Sequence, residues 1–133
     1  MKKTENVGLA IVRDDKILLV KEKREDKFII PGGVKEKNES DEQALKREIK
    51  EELGVDIVDG SLKFIGNFQD VSNENKNTLI KMSYYVGEVN GEITPKEEVE
   101  KILWFDKKTD WNKVTHMTRY KLIPALIQRN ILK

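Results

Sequence analysis

The stretch of residues 33–55 constrains the fold more than any other part of this 133-residue chain. Ser40, with Gln43 three residues later, forms a capping box, which predicts that a helix begins at this serine. Gly54 predicts the end of that helix, because glycine readily adopts the left-handed conformation of a helix C-cap. Between these signals, three aliphatic residues at helical spacing predict a stripe that packs into the core, namely Leu45, Ile49 and Leu53.

The same helix carries acidic residues beside its apolar stripe. Each helical residue advances by about 100°, so Glu48, Glu51 and Glu52 fall within roughly 100° of arc. Three carboxylates this close repel one another unless a positive charge lies among them, and hard divalent cations prefer oxygen ligands. This pattern favours metal-assisted hydrolysis of a phosphate ester or anhydride. The alternative is a solvated face with ion pairs such as Glu42–Lys46, but that does not explain three acids on one side with no lysine among them.

The segment also resembles a known family. It matches the Nudix signature G-x5-E-x7-R-E-U-x-E-E-x-G-U, in which U is a bulky aliphatic residue, at Gly33, Glu39, Arg47, Glu48, Ile49, Glu51, Glu52, Gly54 and Val55. Fixed letters at fixed spacing make this a specific signal. The resemblance implies the Nudix fold, an α/β/α sandwich with a mixed β-sheet between helices. The length of the chain predicts one such domain over residues 1–133.

The resemblance further implies roles for these residues. In the family, the loop, helix and loop of the signature bind a metal and a pyrophosphate. Glu48, Glu51 and Glu52 are then the metal ligands and catalytic residues, with acceptance of a proton from the attacking water as the alternative role of Glu48. Gly32 or Gly33 adds a backbone carbonyl to the metal. Mg²⁺ is the implied cofactor, with Mn²⁺ as a substitute.

Three further residues are assigned through the same resemblance. Glu39 and Arg47 are expected to pair and to fix the loop on the helix; the alternative is an exposed ion pair that contributes less than about 1 kcal/mol. Among Glu97, Glu98 and Glu100, Glu98 best matches an acidic run that family members carry before a Trp-Phe pair. It is expected to act as general base or outer metal ligand, and a solvated charge is the alternative.

Composition limits the partners and the compartment. The net charge is +1, from 25 basic and 24 acidic residues, which gives no electrostatic case for a nucleic-acid polymer or a membrane as partner. The absence of cysteine excludes disulfides, thiolate metal sites and a cysteine nucleophile. The N-terminal apolar stretch is too short for a signal peptide, and no run of about 18 apolar residues exists. A cytoplasmic location is therefore expected, and the family's frequent dimers leave a homodimer open.

Hydrophobic patterning predicts the remaining elements. Residues 7–12 and 17–20 form a hairpin pattern, and a short buried strand at 28–30 is expected to end at Pro31-Gly32-Gly33. Further strands are predicted at 62–68, 78–89 and 102–105. Residues 117–132 are predicted to be helical, with Pro124 at a kink or in the first turn of a second segment.

The signals for the substrate are weaker. Five aromatic residues could stack on a base, although strand aromatics more often belong to the core: Phe28, Phe68, Tyr84, Tyr85 and Trp104. The polar loop 70–77 could recognise a sugar or a base edge, or be a plain loop. Three basic residues could contact a terminal phosphate or protect a strand edge, namely Lys21, Lys23 and Arg24. His116, the single histidine, is expected to be structural.

These observations favour a hydrolase that acts on a small-molecule nucleotide, splitting a nucleoside diphosphate linked to another group. One candidate substrate is a (d)NTP, with oxidised ones included, cut to the monophosphate and pyrophosphate in nucleotide-pool cleaning. The alternative is ADP-ribose or a nucleotide sugar. A non-catalytic nucleotide sensor would usually lack signature acids, and all of them are present here. An RNA 5′-end hydrolase would need a basic groove, for which the neutral net charge gives no support.

Overall fold

The computed structural model describes residues 2–72 and 76–133 of the chain. Its strands and helices follow one another in this order: β1 (Lys2–Ala10), β2 (Val12–Arg13), β3 (Lys16–Glu22), β4 (Gly32–Val34), α1 (Asp41–Leu53), β5 (Asp56–Ile57), β6 (Lys63–Val71), β7 (Thr78–Val86), β8 (Val89–Asn90), β9 (Val99–Phe105) and α2 (Ile123–Gln128). A single turn of 3-10 helix at Trp111–Lys113 and a π-helical turn at Thr118–Leu122 lie between β9 and α2.

The main sheet is mixed, with strand order β4-β1-β7-β6. β1 runs parallel to β7 and antiparallel to β4, while β6 runs antiparallel to β7. A second sheet has the order β2-β3-β9, and β5 pairs with β8. Because side chains alternate along a strand, β1 sends Val7 and Leu9 to one face of the main sheet and Thr4 and Asn6 to the other.

Helices cover both faces of this sheet. On one face, the fully buried Leu45, Ile49 and Leu53 of α1 join Val7 and Leu9 in one apolar cluster. On the other face, a second cluster contains residues of both the sheet and α2: Met82, Tyr84, Ile123 and Leu126. The predicted α/β architecture, with a mixed sheet between helices, is therefore confirmed.

The predicted start and end of α1 are confirmed, and so is the predicted position of Pro124 in a first helical turn. Ser40 caps α1 by accepting a hydrogen bond from the backbone N–H of Gln43, and the Gln43 side chain accepts one from the backbone N–H of Ser40. Gly54 ends the helix in the left-handed conformation at φ 69°. Pro124 lies in the first turn of α2, where its missing N–H costs no intrahelical hydrogen bond.

Two strand predictions were wrong. The segment 28–30 makes only isolated bridges, from Ile29 to Val20 and from Phe28 to Val114. The glycines after it do not end a strand; they begin β4, because Gly32 (φ 149°) packs so closely on β1 that an added Cβ would lie 2.0 Å from the carbonyl oxygen of Val7. The predicted strand at 78–89 divides into β7 and β8.

The loop predicted at 70–77 begins two residues later in the structure, since Asp70 and Val71 still belong to β6. Residues 73–75 of that loop lie outside the described residues. Within the described ranges, none of the helices has the length and apolar character needed to cross a membrane.

Candidate active site

The glycines of β4 let an acidic side chain of α1 come up against the backbone. Glu48 packs so tightly there that a Cβ built on Gly33 would lie 2.6 Å from Cδ of Glu48. β4 is an edge strand of the main sheet, and both Gly33 and Glu48 line a cleft that reaches past this edge to Thr4 and Asn6. Gly33 thus provides a cradle for a carboxyl group that any larger residue would displace.

Glu52 lies one helical turn beyond Glu48 and is only 9% exposed. Its Oε2 accepts a hydrogen bond from the backbone N–H of Gly32 at 3.0 Å. Burial is the largest influence on this carboxyl group, followed by the negative charge of Glu48, and together they raise the pKa of Glu52 to about 9. Glu52 therefore favours a bound proton or a bound cation at neutral pH.

Arg47 connects the loop before α1 with the acids on the helix. Its Nε and Nη2 donate to the two carboxyl oxygens of Glu39 at 2.7 and 2.9 Å, and Nη2 also donates to the carbonyl of Val34 at 3.1 Å. The hydrogen bonds from Arg47 are the main reason that the pKa of Glu39 falls to about 2. A two-point bond of this kind fixes the orientation of both side chains.

The same guanidinium contacts two of the proposed metal ligands, which sequence reasoning did not foresee. Nη1 of Arg47 donates to Glu48 at 2.7 Å and lies 3.7 Å from Oε2 of Glu51. Burial raises the pKa of Glu48, and the hydrogen bond from Arg47 offsets this only in part. Glu51 is the most open of the three acids, with 46% of its side chain exposed.

The residues present suit a hard divalent cation. Carboxylate oxygens and a glycine carbonyl are the ligands that Mg²⁺ prefers, and the buried Glu52 carboxyl lacks a compensating charge among the contacts described above. As they stand, no three acidic or histidine side chains of the described segments converge closely enough to hold a metal ion. Ligation therefore requires Glu48 and Glu51 to turn from Arg47 towards Glu52.

The cleft has a volume of about 810 Å³, within the range of small-molecule sites, and of the three acids only Glu48 lines it. Gly32, Gly33, Arg47 and Glu48 line one part of it. Its remaining lining includes groups that sequence reasoning did not assign to the site, among them Thr4, Asn6, Glu22, Lys27, Ile80 and Met82. Apart from Lys27, which follows β3, these residues lie at the end of β3 and on alternate positions of β1 and β7. Only the strand order shows that they line one cleft.

Glu98 is exposed and does not line this cleft. Its backbone carbonyl accepts a hydrogen bond from Lys23 at 2.9 Å, directly beside Glu22, which does line the cleft. The charge of Glu22 also contributes to the raised pKa of Glu52. Glu100 instead pairs with Lys21 at 2.9 Å. Glu22 is thus one acid near the site that the sequence pattern missed, and Glu25 and Glu36 also line the cleft.

The aromatic candidates are mostly in or against the core. Tyr84 is 1% exposed, and Phe28, Phe68, Tyr85 and Trp104 pack against the two apolar clusters. His116 is not a core residue: 57% of its side chain is exposed, and its Nδ1 lies 2.5 Å from Asp70.

The sequence matches the family model described as NUDIX domain over residues 2–126. One similar protein is the mRNA-decapping enzyme subunit 2 of Saccharomyces cerevisiae, 33% identical over 91% of this chain and 13% of its own length. Another is the ADP-ribose pyrophosphatase of Methanocaldococcus jannaschii, 29% identical over 72% of this chain and 57% of its own length. The chain therefore spans about an eighth of the length of the yeast relative and just over half of the length of the archaeal one.

The fold is also similar to that of solved structures. The MutT NUDIX hydrolase from Burkholderia pseudomallei superposes with a TM-score of 0.77 at 29% identity, and the match covers 96% of this chain and 98% of that one. The likeness therefore extends over nearly the whole of both chains.

Proposed function

Because the chain belongs to the NUDIX domain family, we propose that it is a Mg²⁺-dependent hydrolase that cleaves the pyrophosphate linkage of a nucleoside diphosphate derivative. The observation that carries this proposal is the buried carboxyl group of Glu52, whose pKa is raised to about 9 beside Glu48 and the backbone of Gly32. A charge that burial disfavours this strongly is stabilised by a divalent cation, which in turn attracts a diphosphate.

In this proposal the residues of the site either bind the cation or orient the residues that bind it. Glu48, Glu51 and Glu52 hold the cation, with a backbone carbonyl of Gly32 or Gly33 as a further ligand. A divalent cation bound there would neutralise phosphate charge and make a water molecule more acidic. Arg47 keeps the loop of Glu39 against the helix and so orients the acids.

Two residues outside the helix complete the proposal. Lys27 is exposed and lines the cleft, so its ammonium group is able to contact a phosphate oxygen of the substrate. Glu98 is proposed as the acceptor of a proton from the attacking water or as an outer ligand of the cation. Its side chain has to swing towards Glu22 to reach the cleft, since its backbone is bonded to Lys23.

For the substrate we propose a nucleoside triphosphate, with oxidised ones included, that is cut to the monophosphate and pyrophosphate in nucleotide-pool cleaning. A volume of about 810 Å³ is sufficient for a mononucleotide. The likeness to an archaeal ADP-ribose pyrophosphatase makes ADP-ribose or a nucleotide sugar the second candidate. The yeast relative is a decapping enzyme subunit, so capped RNA belongs in any substrate panel.

The test is a panel of (d)NTPs, oxidised dNTPs, ADP-ribose, nucleotide sugars and capped RNA, assayed with Mg²⁺ or with EDTA in H₂¹⁸O. We expect Mg²⁺-dependent release of pyrophosphate and of a monophosphate from a triphosphate, with ¹⁸O in one product. Glu52→Gln is the matched inactive control. Tight nucleotide binding with no turnover would instead identify a non-catalytic sensor, and exclusive cleavage of ADP-ribose would assign the second candidate.

A further inference from the structure

Buried polar atoms without partners mark one face of the main sheet. In the part of the chain that the structure describes, the buried side-chain oxygens that lack any hydrogen-bond partner belong to Thr4, Asn6 and Tyr84. All three side chains lie on the face opposite α1, since Thr4 and Asn6 alternate with the buried Val7 face and Tyr84 joins the apolar cluster of α2. Buried polar groups are normally paired, so such a concentration on one face calls for an explanation.

Two of these residues lie where a substrate would lie. Thr4 and Asn6 line the same cleft as Glu48 and Gly33, and both residues are only partly buried as a whole. In the sheet, Asn6 pairs with Val34 while the next residue of β1 pairs with Gly33, against which Glu48 packs. The unsatisfied groups are therefore continuous with the carboxylate end of the cleft.

The surroundings of these two residues indicate the kind of group that they would bind. The cleft lining next to them includes Ile80 and Met82, which pair with Thr4 and Asn6 in the sheet, and also Ile29 and Ile30, while other lining residues such as Thr78 and Thr115 are polar. Apolar walls with a few isolated hydrogen-bonding groups suit a flat heteroaromatic ring, which has apolar faces and a polar edge. A sugar or a phosphate is polar on all sides and would leave some of its groups unpaired against these four apolar side chains.

We propose that Thr4 and Asn6 read the edge of the substrate's nucleobase, and that the carboxamide of Asn6 determines base specificity. This inference rests on the proposed function, because the diphosphate is assigned to the carboxylate end of the same cleft. A carboxamide presents a donor and an acceptor side by side, and so matches a base edge with a complementary pair. A site built to hydrogen-bond its ligand discriminates strongly against analogues that lack the matching group.

The test compares wild-type protein with Asn6→Ala, Asn6→Asp and Thr4→Val. Glu5→Gln is the matched control, because Glu5 lies on the same strand but faces the other side of the sheet. One readout is kcat/KM for four nucleoside triphosphates that differ only in their base. The other is binding of the four nucleoside monophosphates in EDTA by NMR titration, which needs neither metal nor turnover.

In the wild type we expect kcat/KM to differ by more than about tenfold across the bases. Asn6→Ala should reduce this spread to within about threefold, mainly through KM, while Asn6→Asp, which keeps only acceptors, should change the order of preference. Glu5→Gln should preserve the wild-type spread. Thermal unfolding of ligand-free Thr4→Val should occur at or above the wild-type temperature, because the variant removes a buried oxygen that has no partner.

The outcomes separate this inference from the proposed function. Hydrolysis of all four triphosphates at equal rates, or a base preference that survives Asn6→Ala, would overturn the inference and leave the hydrolase assignment standing. Base-selective binding of monophosphates that is lost in Asn6→Ala, without hydrolysis of any panel member, would support the inference and overturn the hydrolase assignment. A lowered unfolding temperature in both Asn6→Ala and Thr4→Val would identify a purely structural role and also overturn it.

Discussion

Gly33 and the carboxyl group of Glu48 are packed against each other so closely that a methyl group on Gly33 would lie 2.6 Å from Glu48 Cδ. The atom that would have to move is the end of a flexible side chain, whereas a methyl group on the neighbouring Gly32 would meet the backbone oxygen of Val7 at 2.0 Å. A side chain at Gly33 would therefore displace an acid, whereas a side chain at Gly32 would disturb the sheet.

This contrast gives the first prediction. Gly33→Ala should change the free energy of unfolding by less than about 1 kcal/mol but lower kcat at least tenfold, because Glu48 is displaced. Gly32→Ala should cost roughly 2 kcal/mol or more, since φ 149° and the backbone contact are both incompatible with a Cβ. Urea denaturation and steady-state kinetics measure the two effects. Equal destabilisation by both substitutions would contradict this interpretation.

The second prediction concerns the two hydrogen bonds that Arg47 donates to the carboxyl group of Glu39. Arg47→Lys keeps the charge but cannot make both hydrogen bonds to Glu39 while also contacting Glu48. We expect kcat/KM to fall by about 10- to 100-fold, as is usual when residues that orient metal ligands are changed. The control is Lys46→Arg, whose side chain makes an exposed pair with Glu42 and should leave kcat/KM unchanged. Wild-type turnover in Arg47→Lys would refute the orienting role.

The third prediction uses the pKa of Glu52. This pKa rises from its ordinary value of 4.5 to about 9 on folding, so the folded, metal-free protein holds a proton more tightly than the unfolded chain. The stabilisation is therefore complete below about pH 4.5 and is lost as the pH rises towards 9, with a slope of up to about 1.4 kcal/mol per pH unit from this one group.

Chemical denaturation in EDTA between pH 5 and 9 tests this slope. The free energy of unfolding of the wild type should decrease with pH more steeply than that of Glu52→Gln, which cannot ionise. Adding Mg²⁺ should flatten the wild-type curve, because the cation takes over the role of the proton. Parallel curves for wild type and variant in EDTA would show that Glu52 does not titrate in this range.

The fourth prediction decides which acid outside the helix takes part. Glu98→Gln is expected to lower kcat more than tenfold without unfolding the protein, as the family pattern implies. Glu22→Gln is the direct comparison, because Glu22 lines the cleft beside the backbone of Glu98. Unchanged turnover in Glu98→Gln would remove that residue from the mechanism, and a loss confined to Glu22→Gln would transfer the role to Glu22.

The sequence was most informative where its signals are local. The capping box at Ser40, the stripe of Leu45, Ile49 and Leu53, and the glycine cap are all properties of neighbouring residues, and each was found as predicted. The spacing of the acids likewise predicted that Glu48, Glu51 and Glu52 lie near one another on α1, because helical geometry is fixed.

Features that depend on pairing between distant strands were not accessible from the sequence. Nothing local shows that Gly32 and Gly33 begin β4, since their role depends on the approach of β1. The contact of Arg47 with Glu48 was not predicted either, because helical spacing alone does not show that a long side chain reaches an adjacent residue. Thr4 and Asn6 gave no signal, since only the sheet register brings them to the cleft.

The most direct test of the account is cation binding by the acids of α1, measured by Mn²⁺ electron paramagnetic resonance and by Mg²⁺ calorimetry at pH 7.5. We expect Glu52→Gln and Glu51→Gln each to weaken binding at least about tenfold, or about 1.4 kcal/mol. Glu42→Gln, on the same helix but paired with Lys46, should bind like the wild type. Wild-type affinity in a protein that lacks both Glu51 and Glu52 carboxylates would contradict the account.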